Sequence, residues 1–504
     1  MIFRPVILML LAALTLSAQT LPRLADGKPN LQGIWQVRNQ ASVDLQDHAA
    51  RTGVPAGKSV VEGGTIPYQP MAAAKKLENF ANRQTADPLA KCFLPGVPRV
   101  MYLEYPFQIF QTSEHVAITF EWQQVHRLIY TNGKKPPHGG IQSWMGDSRG
   151  KWEGDTLVVE VKGQNDQTWL DMAGDFHSDA MTVVERYTLK DADTIQYEAT
   201  IEDPKVYTKP WKISMPINRV KDIPRILEYQ CQAELEEANG AFEPDPRTWY
   251  SPDKPKPAPF ANVPAPPALP ATGTNLKRMP DGKPDLTGFY NQPGNSANYG
   301  LEAARGVIID PPGMLPYQPW ARAEHDNRNT PPRGYDDPTA HCFVAGVPRS
   351  HYVPSPIQII QTPGYVVILS ERMSWRQIPL DGRAHLPDNV RLWQGDSVGH
   401  WEGDILVVDT TNLNGKTWLN EAGDVVSYAE HVEERFIPVD ANRITYRATV
   451  SDPVVFTRPW TMQVPLNKNA QEELLEVACH EDNGDLERLK EVRDEFRAQQ
   501  KKEK

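Results

Sequence analysis

Two pentapeptides carry the spacing of a hydrolytic nucleophile. GDSRG at 146–150 and GDSVG at 395–399 both fit G-x-S-x-G. A nucleophile elbow needs a strand, a sharp turn and then a helix, with the serine at the turn. Behind Ser148 the chain runs WEGDTLVVEV, which is β-like and holds a second turn at Gly154-Asp155. A chymotrypsin-like order tolerates a following strand but requires a histidine and an aspartate upstream. His115, His126 and His138 precede Ser148 outside any recognisable motif, and the second stretch has no histidine at the aligned places. Gly-Asp-Ser and Glu-Gly-Asp are therefore read as turns. Asp and Ser bond their own backbone there and Gly supplies positive φ.

Acid–base chemistry is the next possibility. Asp147, Glu153, Asp155, Asp175, Glu185 and Asp203 recur as Asp396, Glu402, Asp404, Asp424, Glu434 and Asp452. Paired carboxylates can act as general acid and base, but most of these sit beside Gly or Pro, where turn bonding accounts for them. Glu185-Arg186 and Glu434-Arg435 are expected within strands, as cross-strand ion pairs. The histidines break the symmetry. His177 aligns with Val426 and His126 with Trp375, and His138 has no histidine partner. Arg127 and Arg376 are shared, and the second copy has only His385 in the corresponding region. If one copy is catalytic it is the first, with His177, Asp175 and Asp147 as candidates. A bound ligand would be expected on His126, Arg127, Trp144, Trp169, Trp393 and Trp418, because aromatic faces at a barrel mouth suit a sugar or planar molecule. The more ordinary account of the tryptophans is a large aromatic core.

These residues recur because the chain is a tandem duplication. WMGDSRGKWEGDTLVV (144–159) returns as WQGDSVGHWEGDILVV (393–408) with 12 of 16 positions identical. DPLAKCFLPGVPR (87–99) returns as DPTAHCFVAGVPR, QTWLDMAGD (167–175) as KTWLNEAGD, and EDPKVYTKPW (202–211) as SDPVVFTRPW. The proline-dense stretch 244–275 separates the copies as an extended connector. The domains are read as 19–243 and 276–490, with a charged tail over 491–504. In copy one, FQIFQTSEHVAITFEW, VHRLIYT, DTLVVEVKG, MTVVERYTL, TIQYEATIED, WKISMPI and RILEYQC read as strands. KDAD marks a hairpin. The fold class is mainly β: two tandem antiparallel barrels, lipocalin-like, or sandwiches, either of which protects sheet edges. Segments 40–90 and 291–336 are expected to wrap the barrels as loops and short helices.

The four cysteines lie at equivalent places, 139 residues apart in one copy and 137 in the other. One staple per domain is expected, Cys92–Cys231 and Cys342–Cys479. A metal set of His341, Cys342, Cys479 and His480 is the rival, but copy one has Lys91 and Gln232 at two of those places. No metal and no cofactor is expected. Residues 1–18 read as a secretory signal peptide, with Arg4 before the apolar run Val6–Leu16, too short for a comfortable membrane span. No transmembrane segment is expected in the mature chain. Net charge is −11 and the pI about 5.6, which disfavours nucleic acid and anionic membrane surfaces as partners.

The pattern W-x-G-D-S-x-G-x-W-E-G-D-x-L-V-V, followed by T-W-L, E-R and D-P-x-x-[YF]-T-[KR]-P-W, resembles a widespread group of uncharacterised exported bacterial proteins. The resemblance spans roughly 90–235 and 340–484. It implies a periplasmic or secreted location and carries over no reaction and no catalytic residue. Three functions stay open. The first is a binder of a small apolar or saccharide ligand in a β-barrel. The second is an exported hydrolase, isomerase or lyase with its site in domain 1. The third is a structural envelope protein. Oligomeric state is unset.

Overall fold

The structure is a computed structural model that describes residues 21–51, 54–136, 139–255, 257–261, 263, 265–291 and 296–502. The expected signal peptide and His138 lie outside the described residues. Domain 1 is a closed nine-stranded barrel in which the strands pair in chain order. They are β1 (Gly33–Gln36), β2 (Phe107–Gln111), β3 (His115–Phe120), β4 (His126–Tyr130), β5 (Asp147–Glu153), β6 (Thr156–Lys162), β7 (Thr182–Asp191), β8 (Thr194–Glu202) and β9 (Trp211–Arg219). Helix α1 (Pro70–Ala86) lies in the long connection before β2, and α2 (Cys231–Asn239) follows the barrel.

Domain 2 repeats the plan with β10 (Gly288–Asn291), β11 (Ile308–Asp310), β12 (Ile357–Thr362), β13 (Tyr365–Ser370), β14 (Trp375–Pro379), β15 (Asp396–Glu402), β16 (Ile405–Thr411), β17 (His431–Asp440), β18 (Arg443–Ser451) and β19 (Trp460–Lys468). Helix α3 (Pro319–Arg328) is the counterpart of α1, and α4 (Gly484–Lys502) ends the chain. The sheet runs β14-β13-β12-β10-β19-β18-β17-β16-β15, with β11 beside β19. It is nearly closed.

Alternation explains the antiparallel part. TVVERYTLKD in β7 and TIQYEATIE in β8 place every second residue in the core, the pattern of a sheet with one wet face. The weak point is the β4–β5 junction. A long loop separates these strands, so they run parallel and share one pair of residues, Tyr130 with Arg149.

Strands β2, β3 and β12 are buried along their whole length. One face fills the barrel and the other packs against the other domain. Ile34, Phe110 and Ala117 of domain 1 form an interdomain core with Ile360, Val367, Leu369 and Trp375 of domain 2, and Ile226 joins them. The Trp375 indole donates to the Phe120 carbonyl at 2.8 Å, and the Gln377 amide donates to the Thr119 hydroxyl at 2.8 Å.

Both expected disulfides are present, with Cα atoms 5.6 Å apart in Cys92–Cys231 and 5.7 Å apart in Cys342–Cys479. Such bonds persist in oxidising compartments. Among the described residues no helix is long and apolar enough to cross a membrane. RILEYQC is not a strand. Residues 220–230 hold one isolated bridge and cross to domain 2, while 469–479 cross back to domain 1. The reason is shared burial. Glu228 accepts from the backbone N–H groups of Trp393 and Gln394, and Glu476 accepts from those of Trp144 (2.7 Å) and Met145 (2.9 Å).

The two halves thus exchange segments and share a core. Expressed separately, 19–243 and 276–490 are expected to self-associate and to melt without cooperativity, because each exposes a large apolar face. Sedimentation and calorimetry check this. Two monomeric, cooperatively melting halves would contradict it.

Candidate functional site

Each barrel holds a buried ion pair inside its wall. In domain 1 Arg127 is bidentate to Glu185, which also accepts from the Tyr187 (2.9 Å) and Tyr197 (2.8 Å) hydroxyls. The Arg127 Nε donates to the Ser148 hydroxyl at 3.0 Å. In domain 2 Arg376 is bidentate to Glu434, and Ser397 again accepts from the arginine Nε at 3.0 Å. Burial disfavours every charge here, but the facing Glu185 carboxylate holds the Arg127 guanidinium firmly protonated.

Ser148 therefore does not lie in a turn. Gly146 makes the turn alone, at φ +66°, and Asp147 already begins β5. Ser148 is 3% exposed and faces the barrel interior as an acceptor for an arginine. The Glu-Gly-Asp turn is as expected, with Gly154 at φ +59°. Glu185 and Arg186 point to opposite faces: Glu185 pairs inward with Arg127, and Arg186 pairs outward with Glu153.

His177 is enclosed. Its Nε2 lies 2.6 Å from the Thr168 hydroxyl and its Nδ1 lies 3.0 Å from the Ser178 carbonyl. Burial pushes it below the usual imidazole range. Asp175 lies elsewhere, accepting from the Tyr68 hydroxyl at 2.5 Å, with the Lys76 ammonium 3.6 Å away. It forms a carboxylate cluster with Asp44 and Asp171, whose ligand atoms all lie within 4.8 Å. In domain 2 the counterparts of Asp171 and Lys76 are Asn420 and His325, and both contact Asp424, at 2.5 and 2.6 Å. At this cluster domain 1 thus carries a buried carboxylate, Asp171, where its copy has the Asn420 amide.

Of the expected tryptophans, Trp144 packs edge-on to Phe93 and Trp393 to Phe343. Trp169 and Trp418 are also buried, and the Arg328 guanidinium covers the Trp418 ring at 4.9 Å. Trp418 borders a polar crevice of about 450 Å³ that also holds Arg247, Arg328 and Arg493. In that crevice Arg247 and Arg328 both pair with Asp245 and Glu324.

The structure does bring His126, Arg127, Asp147 and Ser148 together, at the β4–β5 seam. They border a groove of about 570 Å³ on the outer wall of barrel 1. Strand alternation places His126, Leu128 and Tyr130 on that outer face, opposite Arg127 and Ile129. Asp147 and Arg149 of β5, and Glu160 and Lys162 of β6, continue the wall. The roof comes from the other half: Met373, Glu473, Leu474, Leu475 and Glu476. Its anchors are an Arg149–Glu473 ion pair at 2.6 Å and the Leu474 N–H on the Tyr130 hydroxyl at 3.2 Å. His126 is held by the Ser370 carbonyl, 2.8 Å from Nε2, and burial pushes it down to about 4, so it is neutral.

The equivalent seam of domain 2 encloses about 40 Å³. There Arg225 pairs with Asp396, the larger Trp375 replaces His126, and His385 bridges Asp396 and Asp409 at 2.9 Å each. The Asn412 amide ties the loop above through the carbonyls of Leu386, Pro387 and Val390. The domain 1 counterparts are Pro136 for His385 and Gly163 for Asn412, which supply no such ties. The sequence reading missed this groove and also missed His351, which accepts from Arg376 at 3.0 Å. His351 aligns with Met101, so a search for shared residues passes over it. No family model, curated protein or solved structure matches the chain.

Two expectations follow. Ser148→Ala leaves a buried arginine N–H without its acceptor, so unfolding free energy should fall by about 1–3 kcal/mol. Urea denaturation checks this, and a change below about 0.5 kcal/mol would show that the hydroxyl is dispensable. The second concerns pH. Burial first, and then the adjacent Asp175 carboxylate, push the Asp171 carboxyl well above its usual range. A raised carboxyl supports folding below its unfolded value, and that support is lost as pH rises through the folded value. Asp171→Asn, which cannot ionise, should therefore gain in stability relative to wild type as pH rises above the ordinary carboxylate range. A difference that stays flat with pH would contradict this.

Proposed function

We propose that the protein is an exported, periplasmic or secreted, binding protein that holds a small apolar or saccharide ligand in the domain 1 seam groove, while the equivalent seam of domain 2 is closed. The observation that carries this reading is the contrast between equivalent places: a groove of about 570 Å³ in one copy and about 40 Å³ in the other. A duplicated fold needs its barrel twice, but it does not need an open groove at the seam of one copy only. Groove volume in this range is typical of small-molecule sites. The disulfides support the exported part of the reading.

The ligand position differs from the expected barrel mouth. The interior of barrel 1 is packed with Trp35, Tyr187, Tyr197 and aliphatic side chains, so the site lies on the outer wall. His177 and Asp175 do not border the groove, and Asp147 does so as a partner of Arg149.

Lys162 is exposed on β6 and borders the groove. Lys162→Trp should fill the groove at little cost in stability, since an exposed ion pair contributes little. A thermal-shift screen of sugars and apolar small molecules should find ligands that raise the melting temperature of wild type. The same ligands should lose at least tenfold in affinity for Lys162→Trp. A screen without hits, or a shift the variant keeps, would contradict the proposal.

A further inference from the structure

Resting on that reading, we infer that the ligand is uncharged and aliphatic, an alkyl or isoprenoid-like chain with a neutral head, and that both halves of the protein grip it. Three observations carry this inference.

The first is the wall. Most of the groove's exposed surface is carbon. Its apolar side chains include Leu128, Ile141, Met145, Met373, Leu474 and Leu475, all of them aliphatic. Methionine in particular adapts to irregular apolar shapes. Sugar sites rely on an open aromatic face. Among the described residues the one phenol ring in the groove, Tyr130, has the Arg149 guanidinium 4.4 Å from its centre. None of the four candidate tryptophans borders the groove.

The second is charge. The ionised groups that border the groove already have partners. Arg149 bonds Asp147 and Glu473, Lys162 pairs with Glu160 at 2.8 Å, and Arg127 is spent on Glu185. Glu476 is capped by two backbone N–H groups. A charged ligand group would have to compete with these pairs, of which Lys162–Glu160 alone is exposed. An uncharged chain leaves every pair intact.

The third is the roof. Met373 and Leu474 belong to the second half, and the segment that carries Leu474 is tethered through Cys479 to Cys342. The site is incomplete without domain 2.

The test uses the full chain and N-phenyl-1-naphthylamine, a neutral apolar dye, displaced by dodecan-1-ol, dodecanoate, dodecylammonium, maltose or cellobiose. The dye should bind once per chain. Dodecan-1-ol should displace it at concentrations at least tenfold below either charged homologue, and the sugars should not displace it at millimolar levels. Leu474→Gln should weaken dodecan-1-ol at least tenfold, and Leu475→Gln provides a second readout should Leu474→Gln not fold. Tighter binding of a charged homologue overturns the inference of an uncharged ligand. Binding of a sugar that Lys162→Trp abolishes, with no dye binding, overturns the aliphatic class but leaves the proposed groove standing. Dye binding that Lys162→Trp leaves untouched overturns both. Dye binding unaffected by either leucine variant overturns the role of the second half.

Discussion

Each barrel is capped at its seam by a carboxylate that belongs to the other half. Where β5 begins, its parallel neighbour β4 offers one pair of residues, and where β15 begins the sheet is open, so two consecutive backbone N–H groups would be left without acceptors at each place. Glu476 supplies them for Trp144 and Met145, and Glu228 for Trp393 and Gln394. Burial pushes both carboxyls up to about 7, against the pull of those N–H groups. The exchange that brings these glutamates across also covers the outer faces of β2, β3, β12 and β13. The disulfides hold the exchanged segments at their ends, so the interdomain core, the two seams and the staples form one system.

Within that frame the copies diverge through compensated substitutions. Domain 2 closes its seam with Arg225 on Asp396. Domain 1 has Glu473 at the place of Arg225 and Arg149 at the place of Val398, so the sign of the strap residue and the sign of the wall reverse together. The buried Arg–Glu pair is kept in both barrels. Buried pairs contribute little net stability once desolvation is counted, but losing one partner leaves an uncompensated charge in the core. That explains why Arg127, Ser148 and Glu185 are repeated while their surroundings vary. The duplication preserved what closes a barrel and changed what lies at its seam.

The repeats, the strand-rich fold and the disulfide pairing were legible in the sequence, since period-two alternation and equivalent cysteine positions have direct physical meaning. The exchange was not. RILEYQC has the composition of a strand, and nothing local says that its glutamate serves another domain. The full burial of FQIFQ and IQIIQT was the available signal, because a strand apolar on both faces must be covered twice. The Gly-Asp-Ser turn failed because Gly146 alone turns the chain, leaving the serine free to enter the core. The groove was hidden because its walls are outer-face residues of three strands and its roof is more than 200 residues away in the chain. His126 was found through the asymmetry between copies and Arg127 as the shared arginine beside it, although they sit on opposite faces of β4.

The central claim is that one copy of the duplicated barrel keeps an open, ligand-holding seam that the other half roofs. Native mass spectrometry of the full chain, purified without detergent from the exported fraction of its host, tests it most directly. The account predicts one small, uncharged, apolar molecule per chain, released on denaturation and missing from the Lys162→Trp protein. A chain that carries no molecule under conditions where it remains folded, or one whose bound molecule persists in Lys162→Trp, would contradict it.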